Sequence, residues 1–185
     1  MDVAGRVALV TGAGRGVGLG VARRLAAEGI AIGVIDINLD YAEEAASQLS
    51  RAGGRATAME CDVAAVEQVD HAVLAVEAKF GPATILVNAA HIGGAIENAE
   101  QWERMLAVEV SGAFLCCRAA LPSMLAAGWG RIIILTRPEV EARITALART
   151  LALDIAHKAV HVTVLTLGGD HQAAASAASD AVCAL

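Results

Sequence analysis

A glycine-rich stretch near the start of the chain has the residue types and spacing to hold a phosphate group. It reads Thr11-Gly12-Ala13-Gly14-Arg15-Gly16-Val17-Gly18. In such a turn Gly12 permits the sharp bend, Gly16 lets backbone approach a pyrophosphate, and Gly18 lets a following helix pack closely. The unpaired N–H groups of a helix N-terminus then favour an anion. The pattern predicts a pyrophosphate site, with a turn that binds nothing as the alternative.

An acidic residue stands where the sugar next to that pyrophosphate would lie. Asp36 ends the next apolar run, 18 residues beyond Gly18. A carboxylate at this spacing hydrogen-bonds the ribose hydroxyls of adenosine, and its charge disfavours a 2′-phosphate. Arg15 could contact such a phosphate, but with Asp36 in place the sequence favours NAD(H) over NADP(H).

The elements that must position these residues alternate between two types. Strand-length apolar runs occupy 7–11, 31–36, 56–60, 84–88, 131–136 and 160–166, and helical patterns occupy 17–28, 39–51, 64–80, 98–127 and 139–157. Strand and helix in alternation predict a doubly wound parallel sheet of the Rossmann type. We expect one domain over 1–185, with a poorly ordered tail from about residue 170 and one further helix at 179–185.

Composition narrows the class of protein. The chain is 56% hydrophobic with a net charge of −6, and its basic residues form no run, which argues against nucleic-acid and anionic membrane partners. We expect no membrane span and no signal peptide, because we identify neither a long apolar segment nor a basic region followed by an apolar one at the start. Four cysteines lack metal spacing, so we expect buried thiols, no metal and a cytoplasmic location.

These motifs resemble those of the short-chain dehydrogenase/reductase family, classical type, over about residues 6–168. The glycine turn matches the family's TGxxxGxG, 61–63 match the DV step after the third strand, and 86–91 fall on LVNNAG. Residues 130–135 resemble the fifth strand and 150–156 the sixth helix.

The resemblance implies a sheet of order 3-2-1-4-5-6, NAD(H) binding, and homodimers or tetramers formed through helices 98–127 and 139–157. It also implies hydride transfer to a carbonyl or from an alcohol, in which a tyrosine moves the proton, a lysine four residues later lowers its pKa, a serine orients the carbonyl and an asparagine holds a water. The cofactor-binding residues implied are Gly12, Arg15, Gly16, Val17, Gly18, Asp36, Ile37, Asp62, Val63, Asn88, Ala89 and Ala90.

The chain departs from the family at the catalytic residues. Its only tyrosine is Tyr41, which Ala45 follows four residues later, so no Tyr-x-x-x-Lys exists in it. The family serine falls on Arg137, or on Thr136 after a shift of one residue, and the relay asparagine falls on Glu109. The last residue of LVNNAG falls on His91. Against the family pattern we expect the loop between serine and tyrosine to be missing and a short tail after residue 169 in place of a seventh strand.

The substitutes allow several hypotheses. His91, Glu109, Thr136 and Arg137 map near the ends of strands four and five, and the first two form an acid/base pair in principle, with Arg137 as an anion partner. The first hypothesis is therefore an enzyme with altered chemistry: a lyase, isomerase, cyclase or weak oxidoreductase. Alternatively the site has drifted, Glu109 being a solvated helix residue paired with Arg137, and the protein is a non-catalytic nucleotide- or partner-binding subunit. The third hypothesis is a cofactor-free scaffold.

Overall fold

Six parallel strands form one sheet in the order β3-β2-β1-β4-β5-β6. The computed structural model describes residues 3–94, 96–154, 159–168 and 171–183, with the backbone alone at 154, 171, 172 and 183. The strands are β1 (Val7–Thr11), β2 (Ala31–Asp36), β3 (Ala56–Glu60), β4 (Ala83–Asn88), β5 (Gly130–Thr136) and β6 (Val160–Thr166). The predicted Rossmann-type sheet and its strand order are confirmed, and β4 and β5 each begin one residue earlier than expected.

Seven α-helices connect or follow the strands in the described part of the chain. They are α1 (Gly16–Ala27), α2 (Leu39–Arg51), α3 (Val66–Phe80), α4 (Ala99–Leu106), α5 (Gly112–Ala126), α6 (Glu141–Asp154) and α7 (His171–Cys183). The side chains of Asn38 and Asn98 accept hydrogen bonds from the third residue of α2 and of α4, which satisfies N–H groups left free at a helix start.

One predicted helix is divided in the structure. The segment expected to be a single helix over 98–127 consists of α4 and α5 joined by a π-helical turn, Ala107–Ser111. Such turns insert one residue into a helix and are frequent at functional sites. This one carries Glu109, which is buried.

Helices cover both faces of the sheet. In β1, Val7 and Leu9 pack with residues of α3, α5 and α6, whereas Ala8 and Val10 pack with residues of α1, α2 and α7. Strand side chains alternate between faces, so a strand covered on both sides must be apolar throughout. All of β1 is buried, as is all of β5, which explains their continuous apolar runs.

The order of the strands reverses between β1 and β4. The chain builds outward from β1 through β2 to β3, then returns to place β4 on the other side of β1. In open parallel sheets a crevice forms at the carboxyl ends of the strands at such a switch point, and ligands bind there. The glycine turn after β1 and the loop after β4 border this crevice.

The tail is more ordered than the sequence suggested. We expected a helix only at 179–185, but α7 begins at His171. Its Ala175, Ala178 and Val182 are buried in the same cluster as Trp129 and Ile133. The weak apolar periodicity of an Ala/Ser-rich segment concealed this helix, because small side chains bury little area and mark a packed face poorly.

One helical segment, Ala99–Ala126, is long and apolar enough to cross a membrane by length and composition. This differs from the expectation that no segment would qualify. Core helices pass the same test, and here Met105, Cys117 and Met124 are fully buried in the protein core. The apolar composition of this segment is therefore explained by its packing in the protein core.

Candidate functional site

A cleft of about 480 Å³ opens at the carboxyl ends of β1 to β4. Its lining residues come from the turns after these strands, from α4 and from the π-helical turn. They are Gly12, Arg15, Gly16, Asp36, Ile37, Cys61, Asp62, Val63, Ala89, Ala90, His91, Ile92, Gly93, Arg104 and Val108. The cleft therefore lies at the switch point of the sheet.

The glycine turn forms one wall of the cleft. Gly12 and Gly16 have φ of 60° and 58°, a region that side chains other than glycine rarely adopt. A Cβ on Gly18 would collide with the carbonyl of Gly12, so the close packing predicted for Gly18 is against the turn itself and not against the strand. Since α1 begins at Gly16, the N–H groups at the start of this helix lie beside the cleft.

Asp36 lies at the end of β2, with its carboxylate held in place by two backbone groups. The Gly14 N–H donates to Oδ2 at 2.9 Å and the Asn38 N–H donates to Oδ1 at 3.1 Å. The guanidinium of Arg15 lies 4.9 Å from the centroid of the Tyr41 ring. The two charged side chains singled out from the sequence thus border the same end of the cleft.

The end of β3 contributes an acidic residue that is already paired. Arg104 on α4 donates to Asp62 Oδ2 at 2.7 Å, and the Ala64 N–H donates to Oδ1 at 3.0 Å. Sequence reasoning missed Arg104, because 42 positions separate the two partners and no local pattern marks the contact. Burial raises the pKa of the neighbouring Cys61 thiol to about 11, so this residue is a neutral apolar part of the wall.

Between β1 and β4 a threonine joins the two turns that border the cleft. The Thr11 hydroxyl accepts hydrogen bonds from the N–H groups of Ala89 and Ala90 at 3.0 and 3.1 Å. Asn88, at the end of β4, is buried, and its Nδ2 donates to Cys117 Sγ at 3.5 Å. Asn88 therefore holds β4 against α5 and does not face the cleft.

Of the twelve residues predicted to bind the cofactor, nine line the cleft. Three do not: Val17, Gly18 and Asn88 are buried behind its wall. The sequence-based set also left out the loop residues Ile92 and Gly93, which follow β4.

Glu109 and Arg137 form a two-contact ion pair next to the cleft. Arg137 Nη2 donates to Glu109 Oε1 at 2.7 Å and its Nε donates to Oε2 at 3.3 Å. The Ile92 N–H adds a third hydrogen bond to Oε1 at 3.1 Å. The two side chains are only 5% and 18% exposed, so the prediction of a solvated Glu109 is wrong while its pairing with Arg137 is confirmed.

The other two candidate catalytic residues lie nearby without joining this pair. His91 is exposed at the cleft, with Nδ1 at 3.1 Å from the Ala89 carbonyl oxygen. Thr136 is buried, and its hydroxyl donates to the Arg137 carbonyl at 3.3 Å. No hydrogen bond between described residues links His91 to Glu109, so the structure does not show the proposed acid/base pair as a contact.

Metal chemistry gains no support from the geometry. In the described ranges no three His, Cys, Asp or Glu side chains are grouped so that they could hold a metal ion. The carboxylates near the cleft already have partners: Asp62 and Glu109 are each paired with an arginine, and Asp36 accepts from backbone N–H groups.

The chain is similar to known dehydrogenases. Residues 6–137 match the family model described as short chain dehydrogenase. D-threitol dehydrogenase of Mycolicibacterium smegmatis is 41% identical over 133 residues, 70% of this chain and 51% of that protein. A 2,5-dichloro-2,5-cyclohexadiene-1,4-diol dehydrogenase of Sphingobium indicum is 30% identical over 184 residues, 90% of this chain and 74% of that protein. The chain spans about half the length of the first curated relatives it matches.

Solved structures show the same fold. A metagenomic short-chain oxidoreductase in complex with NADP superposes with a TM-score of 0.85 at 24% identity, over 96% of this chain and 90% of that one. L-Sorbose reductase from Gluconobacter frateurii, complexed with NADPH and L-sorbose, superposes with a TM-score of 0.83 at 30% identity, over 90% and 71% of the two chains.

Proposed function

This chain belongs to the short chain dehydrogenase family, and we propose that it binds NAD(H) in the cleft without the tyrosine-dependent proton transfer that the family resemblance implies. One observation carries the binding proposal. The glycine turn, the N-terminus of α1 and the carboxylate of Asp36 line one continuous cleft at the switch point of the sheet.

Each part of an adenosine diphosphate has a matching group in this cleft. The backbone at Gly12 and Gly16 would hold the pyrophosphate beside the N–H groups of α1, because the space in front of Gly16 is open. Asp36 would accept hydrogen bonds from the adenosine ribose, and Ile37 and Val63 would contact the adenine. Asp62, fixed by Arg104, borders the same position.

The charge at Asp36 supports NAD(H) over NADP(H). A 2′-phosphate beside this carboxylate would meet a like charge that already accepts two backbone hydrogen bonds. Arg15 is the competing group, since it lines the same end of the cleft. The two solved relatives described above are complexes with NADP and NADPH, so the preference must be measured on this chain.

The proposal that proton transfer is lost depends on where the candidate groups lie. A nicotinamide supplies or accepts a hydride when bound, and the protein must move the proton. Tyr41 is on α2, exposed, beside Arg15 and not beside Glu109 or Arg137. Lys79 donates to Thr57 at 3.0 Å, and Lys158 lies outside the described residues. Both oxygens of Glu109 accept hydrogen bonds from Arg137, so neither is without a protein partner.

Titration calorimetry tests the binding proposal. We expect NAD⁺ to bind about tenfold more tightly than NADP⁺. The substitution Asp36→Asn should lower the affinity for NAD⁺ and reduce the difference between the two affinities, because a charge-assisted hydrogen bond is lost. Asp40→Asn, at an exposed position of α2, is the matched control and should change neither affinity. If no adenine nucleotide binds at millimolar concentration, the cofactor-free scaffold hypothesis replaces this one.

His91 supports a second candidate function, an enzyme with altered chemistry. It is the one histidine among the cleft residues, and it is exposed. Under this alternative, the wild-type protein would turn over a carbonyl, an alcohol or a related substrate, and His91→Ala would lose this activity. Absorbance at 340 nm or product analysis measures the turnover. Under the proposed function neither protein turns over such substrates.

We also propose that the chain forms a homo-oligomer and acts in the cytoplasm. Phe114 on α5 and Leu153 on α6 are large apolar side chains exposed by 45% and 78%, on the two helices that the family resemblance implies for assembly. Cys61, Cys116 and Cys117 are free and buried, which suits a reducing compartment.

A further inference from the structure

The cleft reaches the end of β4 and does not extend to the end of β5. Its lining residues follow β1, β2, β3 and β4, and the last of them in the chain is Val108. None of the described residues of β5, β6 or the segments after them lines it. A dinucleotide in this fold spans the switch point, so its second nucleoside needs a space bordered by the ends of β4 and β5.

The Glu109–Arg137 ion pair fills that position. Arg137 directly follows β5, and Glu109 belongs to the π-helical turn and contacts the loop after β4. Their contacts, together with the Ile92 N–H on Glu109, tie the three segments to one another. With exposures of 5% and 18%, the two side chains form a closed wall and not a lining of open space.

A small space lies behind the wall. A separate cavity of about 10 Å³ is bordered by Thr11, Asn88, Glu109 and Ile134. A volume of this size holds about one water molecule, and its polar border could bind one. A nicotinamide ring does not fit there.

We infer that the site binds only the adenosine diphosphate part of a dinucleotide. ADP and ADP-ribose should therefore bind with about the same affinity as NAD(H). This inference rests on the proposed function, since it concerns the same cleft. The residues present fit the adenosine, its ribose and the pyrophosphate, and they do not fit the nicotinamide riboside. When NAD(H) binds, its second nucleoside remains in solvent and adds no contact.

Calorimetric titration of the full chain with ADP, ADP-ribose, NAD⁺ and NADH tests the inference. We expect the dissociation constants of ADP-ribose, NAD⁺ and NADH to agree within about threefold, because the nicotinamide contributes nothing. NADH fluorescence should keep its emission maximum and intensity on binding, since the ring stays in water. NAD⁺ or NADH binding more than about tenfold tighter than ADP-ribose would overturn the inference and leave the proposed function standing. Absence of binding by all four ligands would overturn the proposed function itself.

A double variant tests the role of the ion pair. Glu109→Ala with Arg137→Ala removes both charges and opens the wall, so NAD⁺ should gain at least about threefold in affinity relative to ADP-ribose. The control is Asp70→Ala with Arg118→Ala, an ion pair of the same 2.7 Å length that is about half exposed and outside the cleft. An unchanged ratio in a variant with native circular dichroism would show that the pair does not exclude the nicotinamide. If the variant does not fold, the wild-type titrations decide.

Discussion

At the scale of single residues, Glu109 is a candidate for proton transfer from its position in the sequence, but in the structure it forms a buried ion pair. Its carboxylate accepts two bonds from Arg137 and one from the Ile92 N–H. Both of its oxygens therefore already have a protein partner. Breaking a buried ion pair on one side leaves an uncompensated charge, which is far costlier than removing both partners.

We therefore predict that Arg137→Ala lowers the free energy of unfolding by about 3–5 kcal/mol, because Glu109 is left buried and unpaired. Urea unfolding followed by circular dichroism measures the change. Replacing both residues with apolar side chains, Glu109→Leu with Arg137→Met, should recover most of the loss.

Arg118→Ala is the matched control for that change. Its pair with Asp70 has the same 2.7 Å contact, but the two side chains are 43% and 47% exposed, so the loss should stay below about 1 kcal/mol. A loss of the same small size in Arg137→Ala would mean that water reaches Glu109, and it would return Glu109 to the candidates for proton transfer.

The site residues that could be predicted are those whose role is local to the chain. Gly12, Gly16 and Asp36 follow from a turn and the strands beside it, and the structure places all three on the cleft. Arg104 could not be found, since its contact with Asp62 depends on how α4 packs against the end of β3. The burial of Glu109 was equally inaccessible, because it depends on a π-helical turn that sequence periodicity does not reveal.

At the scale of elements, prediction succeeded where one face or both faces of an element are strongly apolar. Strands β1, β2, β3 and β6 have the predicted bounds, as does helix α2, whose start is marked by the Asn38 cap. Helix α7 was mostly missed because it packs through alanines. It nonetheless covers part of the sheet face that α1 and α2 leave open, where it contacts β5 and β6.

Helix α7 should therefore be sensitive to charge on its buried side. We predict that Ala178→Asp, at a fully buried position, costs about 3 kcal/mol or more or detaches the helix, because the carboxylate has no partner there. Urea unfolding measures the loss, and a red shift of Trp129 emission reports detachment, since Trp129 packs in the same cluster. Ala177→Asp, at the adjacent exposed position, should change stability by less than about 0.5 kcal/mol. Equal effects of the two substitutions would contradict the packing of α7.

At the scale of the whole molecule, the strand order determines where the crevice lies, and the side chains at the carboxyl ends of the strands determine which part of it is open. The order β3-β2-β1-β4-β5-β6 creates the crevice. Alternating strands and helices predicted a doubly wound parallel sheet, and the resemblance to the family implied the order of its strands. Which half of the crevice stays open depends on a few side chains from distant parts of the chain. The sequence therefore predicts the fold and most residues that line the cleft, whereas the burial of the Glu109–Arg137 pair depends on how distant segments pack.

Assembly is the remaining property at this scale. We predict that the chain runs as a dimer or tetramer, a multiple of 18.8 kDa, in size-exclusion chromatography with light scattering at micromolar concentration. Phe114→Glu should shift it towards the monomer, because a charge would replace an exposed aromatic ring on α5 that we expect to be buried between subunits. Leu74→Glu is the control: it is 66% exposed on α3, outside the helices proposed to associate, and should leave the mass unchanged. A wild-type chain that runs as a monomer would contradict the proposed assembly. A Leu74→Glu effect equal to that of Phe114→Glu would mean that the contact between subunits does not depend on α5.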